Sequence, residues 1–589
     1  MAESSESSLS KRLSGLNPFS KAHRQADDDD LGEQLSSASV AGGGHTARET
    51  DTTKNQLRVS PALKYFLADR GLLARESSGQ YSNESTASLQ KLLDTPYIRA
   101  PAHLTDRSHP LPEYFISSSH NTYLMAHQLY GVSEAAAYEK ALTTGSRCVE
   151  IDAWDDEDNP EEPKVTHGYT LVSHISFRAV CEVIRNVVDK EAKEETNQLG
   201  YRAAPIFLSL ENHCGAQGQM RLVQIMQEIW GDRMLSKAVV RKGHEEQDGG
   251  AHVSLDELGS KIVVIVEFHL PETESGPDPD DTSSSDDEDE KEKQERLAYN
   301  EQKKAAPSII IPELAAIGVY AQSVKPRNNS WFEQVMLEDA PHHHLINVSE
   351  VGLAAHLPAS SEKIARHNAH HLMRVFPKGT RISSKNLQPV PFWGLGAQIC
   401  ALNWQTFGAS MQLNEALFNG SDGYVLKPAA LRAGGDGKLT TGRKKRLRLH
   451  IAGASDVPVP AGREADDLKP YVTCSLIHPD DLKDTPPKRK TSAYKHHKFD
   501  LLRKGDIKNS AAIDPVWDEL LEWVYEDNEL VFLRILIKSD DKFAANPKLV
   551  VTAVRISYTG KGWTFIRMLD LSGQETNCTL LVKFETEDI

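Results

Sequence analysis

CVEIDAWD, running from Cys148 to Asp155, sets Glu150 and Asp152 two residues apart with Val149 and Ile151 as their apolar neighbours. On a strand this alternation sends both carboxylates to one side and the apolar residues to the other. Two later runs, APIFLSLE (Ala204 to Glu211) and KIVVIVEF (Lys261 to Phe268), are apolar almost throughout, as strands covered on both faces are. SFRAVCEVIRNVVDKEAK, from Ser176, and GQMRLVQIMQEIW, from Gly218, have the spacing of amphipathic helices. From about Leu111 to Leu270 short apolar runs and helical stretches therefore alternate, which predicts parallel strands joined by crossover helices. The alternation resumes near Ser308, where AAIGVYA, GAQICALNW and GYVLKP are strand candidates and HNAHHLMRVF is read as a helix.

One α/β barrel of the TIM type accounts for both halves, 111–270 and 308–432. An insertion at 271–307 splits them. Between Pro271 and Lys304 there are 13 acidic and 5 basic residues, so this segment is expected to be a disordered, solvated linker. Acidic loops are inserted at far smaller cost than cores are divided. After the basic run Arg443 to Arg446, RLRLHIAGA, PYVTCSLI, ELVFLRILIK, KLVVTAVRIS and CTLLVKFE follow one another without a long helix. Residues 443–589 are accordingly expected to form an all-β sandwich. Residues 1–55 are Ser-, Gly- and Asp-rich and are expected to be disordered. Residues 56–110 hold two short helices, one capped by Ser60 and one beginning near Thr86.

The net charge of -17 argues against a general nucleic-acid binder, and much of it lies in the acidic insertion. Six cysteines without CxxC spacing are expected to be reduced thiols of an intracellular protein. No apolar run approaches the ~20 residues of a membrane helix. MAESSESSLSKRL also lacks the apolar core of a signal peptide, so membrane contact is expected to be peripheral.

SSSHNTYL (Ser117 to Leu124) supplies His120 and Asn121, and VTHGYTL (Val165 to Leu171) supplies His167. Asn121, Glu150, Asp152 and Glu211 are hard-oxygen side chains of the kind that hold Ca2+ or Mg2+. Two histidines can exchange protons near neutral pH. Charged groups at successive C-terminal strand ends mark the active face of a barrel, and a cation with two histidines suits cleavage of a phosphate ester. His342, His343 and His344 are read as a solvated loop rather than a metal site.

SSSHNTYL, EIDAWD, HGYTLVSHISF, SLENHC, RHNAHHLMRVFPKGTR, QICALNWQT and GYVLKPAALR resemble the X and Y boxes of phosphoinositide-specific phospholipase C, over roughly 110 to 432. The sandwich is similar to that family's C2 domain, with DPVWDE resembling its characteristic turn. The resemblance makes 56–110 a remnant of EF-hand helices and leaves no room for a pleckstrin-homology domain.

It implies calcium-dependent hydrolysis of phosphoinositides to diacylglycerol and inositol phosphate through a cyclic phosphodiester, in lipid signalling. Asn121, Glu150, Asp152 and Glu211 match the calcium ligands, with Glu150 also placed as a base. His120 matches the histidine that stabilises the transition state, and His167 matches the acid that protonates the leaving oxygen. Arg374, Phe376 and Asn347 fall at substrate-binding positions. Where the family carries two lysines that grip ring phosphates, this chain has Ile265 and Glu267. That departure implies an altered specificity, for phosphatidylinositol or its monophosphates, or else a catalytically weak membrane-binding scaffold. In PPKRKTSAYKHHKF, Lys488, Arg489 and Lys490 are candidates for docking on an anionic lipid surface. The expected location is cytoplasmic and peripheral to a membrane bearing phosphoinositides, with no nucleic-acid partner and the protein activator left open.

Overall fold

In this computed structural model the described residues are 57–74, 85–124, 134–166, 174–197, 200–239, 252–268, 310–324, 331–333, 337, 341, 343–378, 386–482, 485–497, 509–540 and 547–589. The disordered stretch expected at 1–55, the acidic linker at 271–307, His167 and His342 lie outside them.

The chain opens its barrel with β1 (Tyr114–Ile116), continued by β2 (Ser119–His120), then β3 (Cys148–Trp154). A short antiparallel appendix, β4 (Lys164–Val165) and β5 (Ile175–Ser176), follows β3. Next come β6 (Ile206–Asn212), β7 (Ile262–Phe268), β8 (Gln322–Val324), β9 (His344–Ser349), β10 (Leu372–Phe376) and β11 (Ile399–Cys400), the last continued by β12 (Leu402–Asn403). Parallel pairing runs β3–β6–β7–β8–β9–β10–β11 and returns through β11–β1 and the bridge Ser118↔Cys148, so the sheet closes on itself. β13 (Tyr424–Leu426) pairs antiparallel with β1 as an outrigger.

Alternation along each strand produces two cores. Cys148, Phe207, Val263 and Leu345 turn into the barrel and pack in one cluster. Val149, Ile151, Leu208, Val264 and Val266 face outward and pack in a second cluster that includes Val180, Ile184 and Val188 of the helix Phe177–Lys193. The side-chain oxygen of Ser176 accepts from Ala179 N to start that helix.

The Y half departs from the sequence reading in three places. HNAHHLMRVF is not one helix: a helix ends at Asn368, and Leu372–Phe376 is β10. Hydrogen bonding to β9 on one side and β11 on the other overrides the helical spacing. AAIGVYA is not a strand: Pro312–Ala315 is helical, and the strand is the following Gln322–Val324. Gly318 sits in the turn because a Cβ there would meet Val266 Cγ2 at 2.6 Å. Finally, His344 is not solvated. It begins β9 and is buried, with its Nε2 3.0 Å from His367 Nε2 and its ring stacked on that of His371.

The C-terminal part is one antiparallel sheet of β14 (Lys444–Ser455), β15 (Pro470–Ile477), β16 (Lys488–Lys490), β17 (Val516–Glu526), β18 (Phe532–Ser539), β19 (Lys548–Arg555), β20 (Gly562–Leu569) and β21 (Glu575–Asp588). Its order, β16-β15-β18-β19-β20-β21-β14-β17, folds round into a C2-like sandwich. The helix Ala409–Phe418 wedges between barrel and sandwich, where Arg534 Nε donates to Gln412 Oε1 at 2.6 Å and Trp393 packs on Phe532.

The helices Pro61–Asp69 and Ala87–Asp94 begin as the sequence predicts, capped by Ser60 and Thr86. They dock on the sandwich, with Leu63, Leu67 and Leu89 against Ala452 and Leu581, and Phe66 edge-on to Trp563. Gly453 permits this approach, since a Cβ there would meet Pro515 O at 2.5 Å and Leu63 Cδ2 at 2.9 Å.

Candidate active site

Parallel register decides which acids meet. Glu150 pairs with Ser209, and Asp152 pairs with Glu211, so the carboxylates of β3 and β6 share the inward face near the C-terminal ends of their strands. Oxygens of Glu150, Asp152 and Glu211 lie within 4.8 Å of one another. Asn121 reaches the same place from the turn after β2. Its backbone adopts a left-handed conformation (φ 46°), which asparagine tolerates better than most residues, and its N–H donates to Glu150 Oε2 at 2.7 Å.

The acids are unequal. Burial alone would raise the Glu150 carboxyl, but Arg374 and then His120 outweigh it and bring its pKa down to about 2. Arg374 Nη2 donates to Glu150 Oε1 at 2.5 Å, both groups being fully buried. Burial, with the Glu150 charge beside it, pushes Asp152 up to about 8. Burial and the charges of Glu150 and Asp152 raise Glu211 well above the carboxylate range. Without a cation, protons held on Asp152 and Glu211 relieve their repulsion with the ionised Glu150.

Several details fit an oxygen-ligated metal. Asp152 Oδ1 and Asn121 Nδ2 are buried without hydrogen-bond partners, and the assignment of an amide's oxygen and nitrogen is interchangeable. Tyr123 OH donates to Asp152 Oδ2 at 2.7 Å and fixes that carboxylate. A hard divalent cation would satisfy the orphaned oxygen and replace the protons.

His120 stands beside the acids, its Nε2 3.9 Å from Glu150 Oε2. Its Nδ1 is 2.8 Å from Asn403 Oδ1, at the end of β12, so the ring donates there and turns Nε2 to the site. Burial lowers the His120 pKa. The structure thus brings His120, Asn121, Glu150, Asp152 and Glu211 together; His167 lies outside the described residues.

Arg374, expected at a substrate position, lies beside the acids, also 3.7 Å from Glu211 Oε1. Asn347 is its neighbour in register and accepts from Arg374 Nη1 at 3.1 Å. Phe376 lies one pleat further on, its ring 5.7 Å from the guanidinium. Lys488, Arg489 and Lys490 are exposed on β16 of the sandwich. Sequence reasoning gave no role to Tyr123 or Asn403, although both stand inside quoted motifs. The strand spacing that exposes paired acids carries no signal for a side chain that only orients another.

An α/β barrel with buried acids and a histidine at the C-terminal strand ends has the layout of a metal-assisted hydrolase site. Residues 107–268 match the family described as phosphatidylinositol-specific phospholipase C, X domain, and residues 314–430 match the corresponding Y domain. The chain therefore carries both halves of the phosphatidylinositol-specific phospholipase C barrel, in that order.

Among its relatives is 1-phosphatidylinositol 4,5-bisphosphate phosphodiesterase 1 of Candida albicans, 29% identical over 89% of this chain and 51% of the relative. The delta-3 phosphodiesterase of Mus musculus is 31% identical over 80% of this chain and 55% of the relative. The chain spans about half the length of these two relatives, 51% and 55%. The crystal structure of L. pealei PLC21 shares the fold, with a TM-score of 0.66 and 23% identity over 91% of this chain and 65% of that one.

Proposed function

We propose that this protein is a calcium-dependent phospholipase C that cleaves phosphoinositides to diacylglycerol and inositol phosphate. The observation that carries the reading is the cluster of Glu150, Asp152 and Glu211 oxygens within 4.8 Å, beside a histidine whose orientation Asn403 fixes. The names of the relatives, which are bisphosphate phosphodiesterases, support the same substrate class.

Asn121, Glu150, Asp152 and Glu211 would hold the calcium ion. Bound there, the ion would neutralise phosphate charge and acidify the inositol 2-hydroxyl. Glu150, kept ionised, is placed to accept that hydroxyl's proton. A bound phosphate's negative charge would favour the protonated His120 ring against the burial that lowers its pKa, and Nε2, turned to the site by Asn403, would then donate to a phosphoryl oxygen. His167 protonates the departing diacylglycerol oxygen. Attack by the 2-hydroxyl leaves a cyclic phosphodiester, which water opens. Each positioned proton transfer contributes ~100-fold or more.

Peripheral binding from the cytoplasmic side, through Lys488, Arg489 and Lys490 on an anionic leaflet, completes the reading. Among the described residues no helix is long and apolar enough to cross a membrane. The scaffold alternative is less favoured, because a scaffold has no need of three clustered acids, one of them with a buried oxygen lacking a hydrogen-bond partner. His120→Ala separates the two. As a phospholipase the variant loses most turnover while its circular dichroism is unchanged; full turnover removes His120 from the chemistry.

A further inference from the structure

The phosphodiesterase reading gives His120 its task, and the inference here rests on that reading. His120 belongs to a sheet that has two strands among the described residues, β2 and β12. Asn403 is opposite His120 in parallel register, so the two side chains share a face, with Asn403 Oδ1 2.8 Å from His120 Nδ1. Along a strand the backbone N–H and C=O groups point to alternate sides. Leu402 N donates across the pair to Ser118 O at 3.4 Å, so the N–H and C=O of Asn403 point away from β2, to the open edge of the sheet. Asn403 is buried, and polar backbone groups at such a place need a partner from the protein.

Asn386, three residues before the helix Pro389–Gly394, supplies it. Its Oδ1 accepts from Asn403 N at 2.5 Å, and its Nδ2 donates to Asn403 O at 2.9 Å. One carboxamide makes both bonds that a facing residue of an antiparallel strand would make. Only one orientation of the amide satisfies both, which assigns its oxygen and nitrogen. The segment that Asn386 grips also holds the turn on either side of His120. Trp404 Nε1 donates to Ser118 O at 3.0 Å, and Gln405 Nε2 donates to Asn121 O at 3.5 Å.

We propose that Asn386 is a positioning residue for phosphodiester cleavage: by standing in for a strand partner of Asn403, it fixes the ring of His120 with Nδ1 as donor and Nε2 turned to the phosphate. It acts at one remove, through the peptide of Asn403.

The test uses the full chain at saturating calcium on phosphatidylcholine vesicles carrying phosphatidylinositol or its 4,5-bisphosphate, whichever the parent turns over faster. Asn386→Ala should lower kcat about 10- to 100-fold and leave KM unchanged, the usual effect of losing a group that orients a site residue. A purely structural loss multiplies with other losses, whereas a loss that acts through His120 vanishes once His120 is gone. In a His120→Ala background, Asn386→Ala should therefore lower the residual kcat by less than about 2-fold. An unchanged kcat in the single variant, or the same fold-loss in both backgrounds, overturns the proposal. Should the alanine variant fail to fold, Asn386→Asp keeps the acceptor for Asn403 N, loses the donor to Asn403 O, and enters the same cycle with the same deciding outcomes.

A second readout needs no turnover. In protein carrying isotope-labelled histidine, the His120 ring is identified by the signals missing from His120→Ala. At neutral pH the parent should show the tautomer with its proton on Nδ1, and Asn386→Ala should convert it to a mixture. If the parent hydrolyses neither lipid, the phospholipase reading itself fails, and the ring signals alone decide the positioning. A tautomer that Asn386→Ala leaves unchanged overturns it.

Discussion

Arg374 is the side chain on which the resting site depends. Its guanidinium neutralises Glu150 in a place where neither group touches water. Removing one partner of a buried pair leaves the other uncompensated, at a cost of about 3–5 kcal/mol. Arg374→Ala should therefore lower stability to urea by about that amount in chelator. Calcium, by taking over Glu150, should restore part of it; an identical loss with and without calcium would show that the ion does not use Glu150. Asn403→Ala should leave KM unchanged and lower kcat about 10- to 100-fold, the usual effect of losing a group that orients a site residue. A pH–rate profile that also shifts would separate lost orientation of His120 from general loosening. The acids were legible in the sequence because strand alternation exposes them two at a time. Arg374 was legible as a site residue but not as their partner, since only the β9–β10–β11 pairing brings it inward.

At the scale of elements, the long strands and helices of the X half read directly from periodicity, as did the apolar runs holding β11, β12 and β13, whereas β8 and β10 did not. β8 has three residues and β10 five, too few for a period, and their type is set by the neighbours that hydrogen-bond to them. The missed burial of His344 follows from the same cause and has a measurable consequence. Burial, and then the charge of His371, lower the pKa of its partner His367 to about 3. An unfolded histidine takes up a proton near pH 6.5, so the unfolded state binds more protons between that pH and the folded value, and stability falls as the solution is acidified. At pH 5 this one group should cost about 2 kcal/mol relative to pH 7, seen as a lower melting temperature. His367→Gln should flatten the slope; an unchanged slope would assign it to other groups. The docked N-terminal helix is open to a simpler check. Leu63 is fully buried against the sandwich, and Leu63→Ala should cost about 2–5 kcal/mol in urea unfolding.

Across the whole molecule, the barrel mouth and the sandwich must meet one lipid surface if the substrate is a membrane lipid. β16 presents Lys488, Arg489 and Lys490, all exposed, at the end of the sheet order. Each cation near an anionic leaflet contributes ~1 kcal/mol, so replacing all three by alanine should weaken sedimentation with phosphatidylserine vesicles by about two orders of magnitude at low salt. Unchanged binding would move the docking surface elsewhere. The barrel–sandwich division was legible as a change from helical crossovers to strands alone. The contact made by the helix Ala409–Phe418 was not, because a helix buried all round carries no stripe to show which side faces which partner.

The most direct measurement is diacylglycerol release from phosphoinositide vesicles by the full chain, followed as free calcium is titrated against a chelator. A calcium-dependent phospholipase C gives no release in excess chelator, a saturable rise with calcium, and soluble inositol phosphate that includes the cyclic form. Undiminished release in excess chelator would contradict that reading, as would phosphatidic acid in place of diacylglycerol.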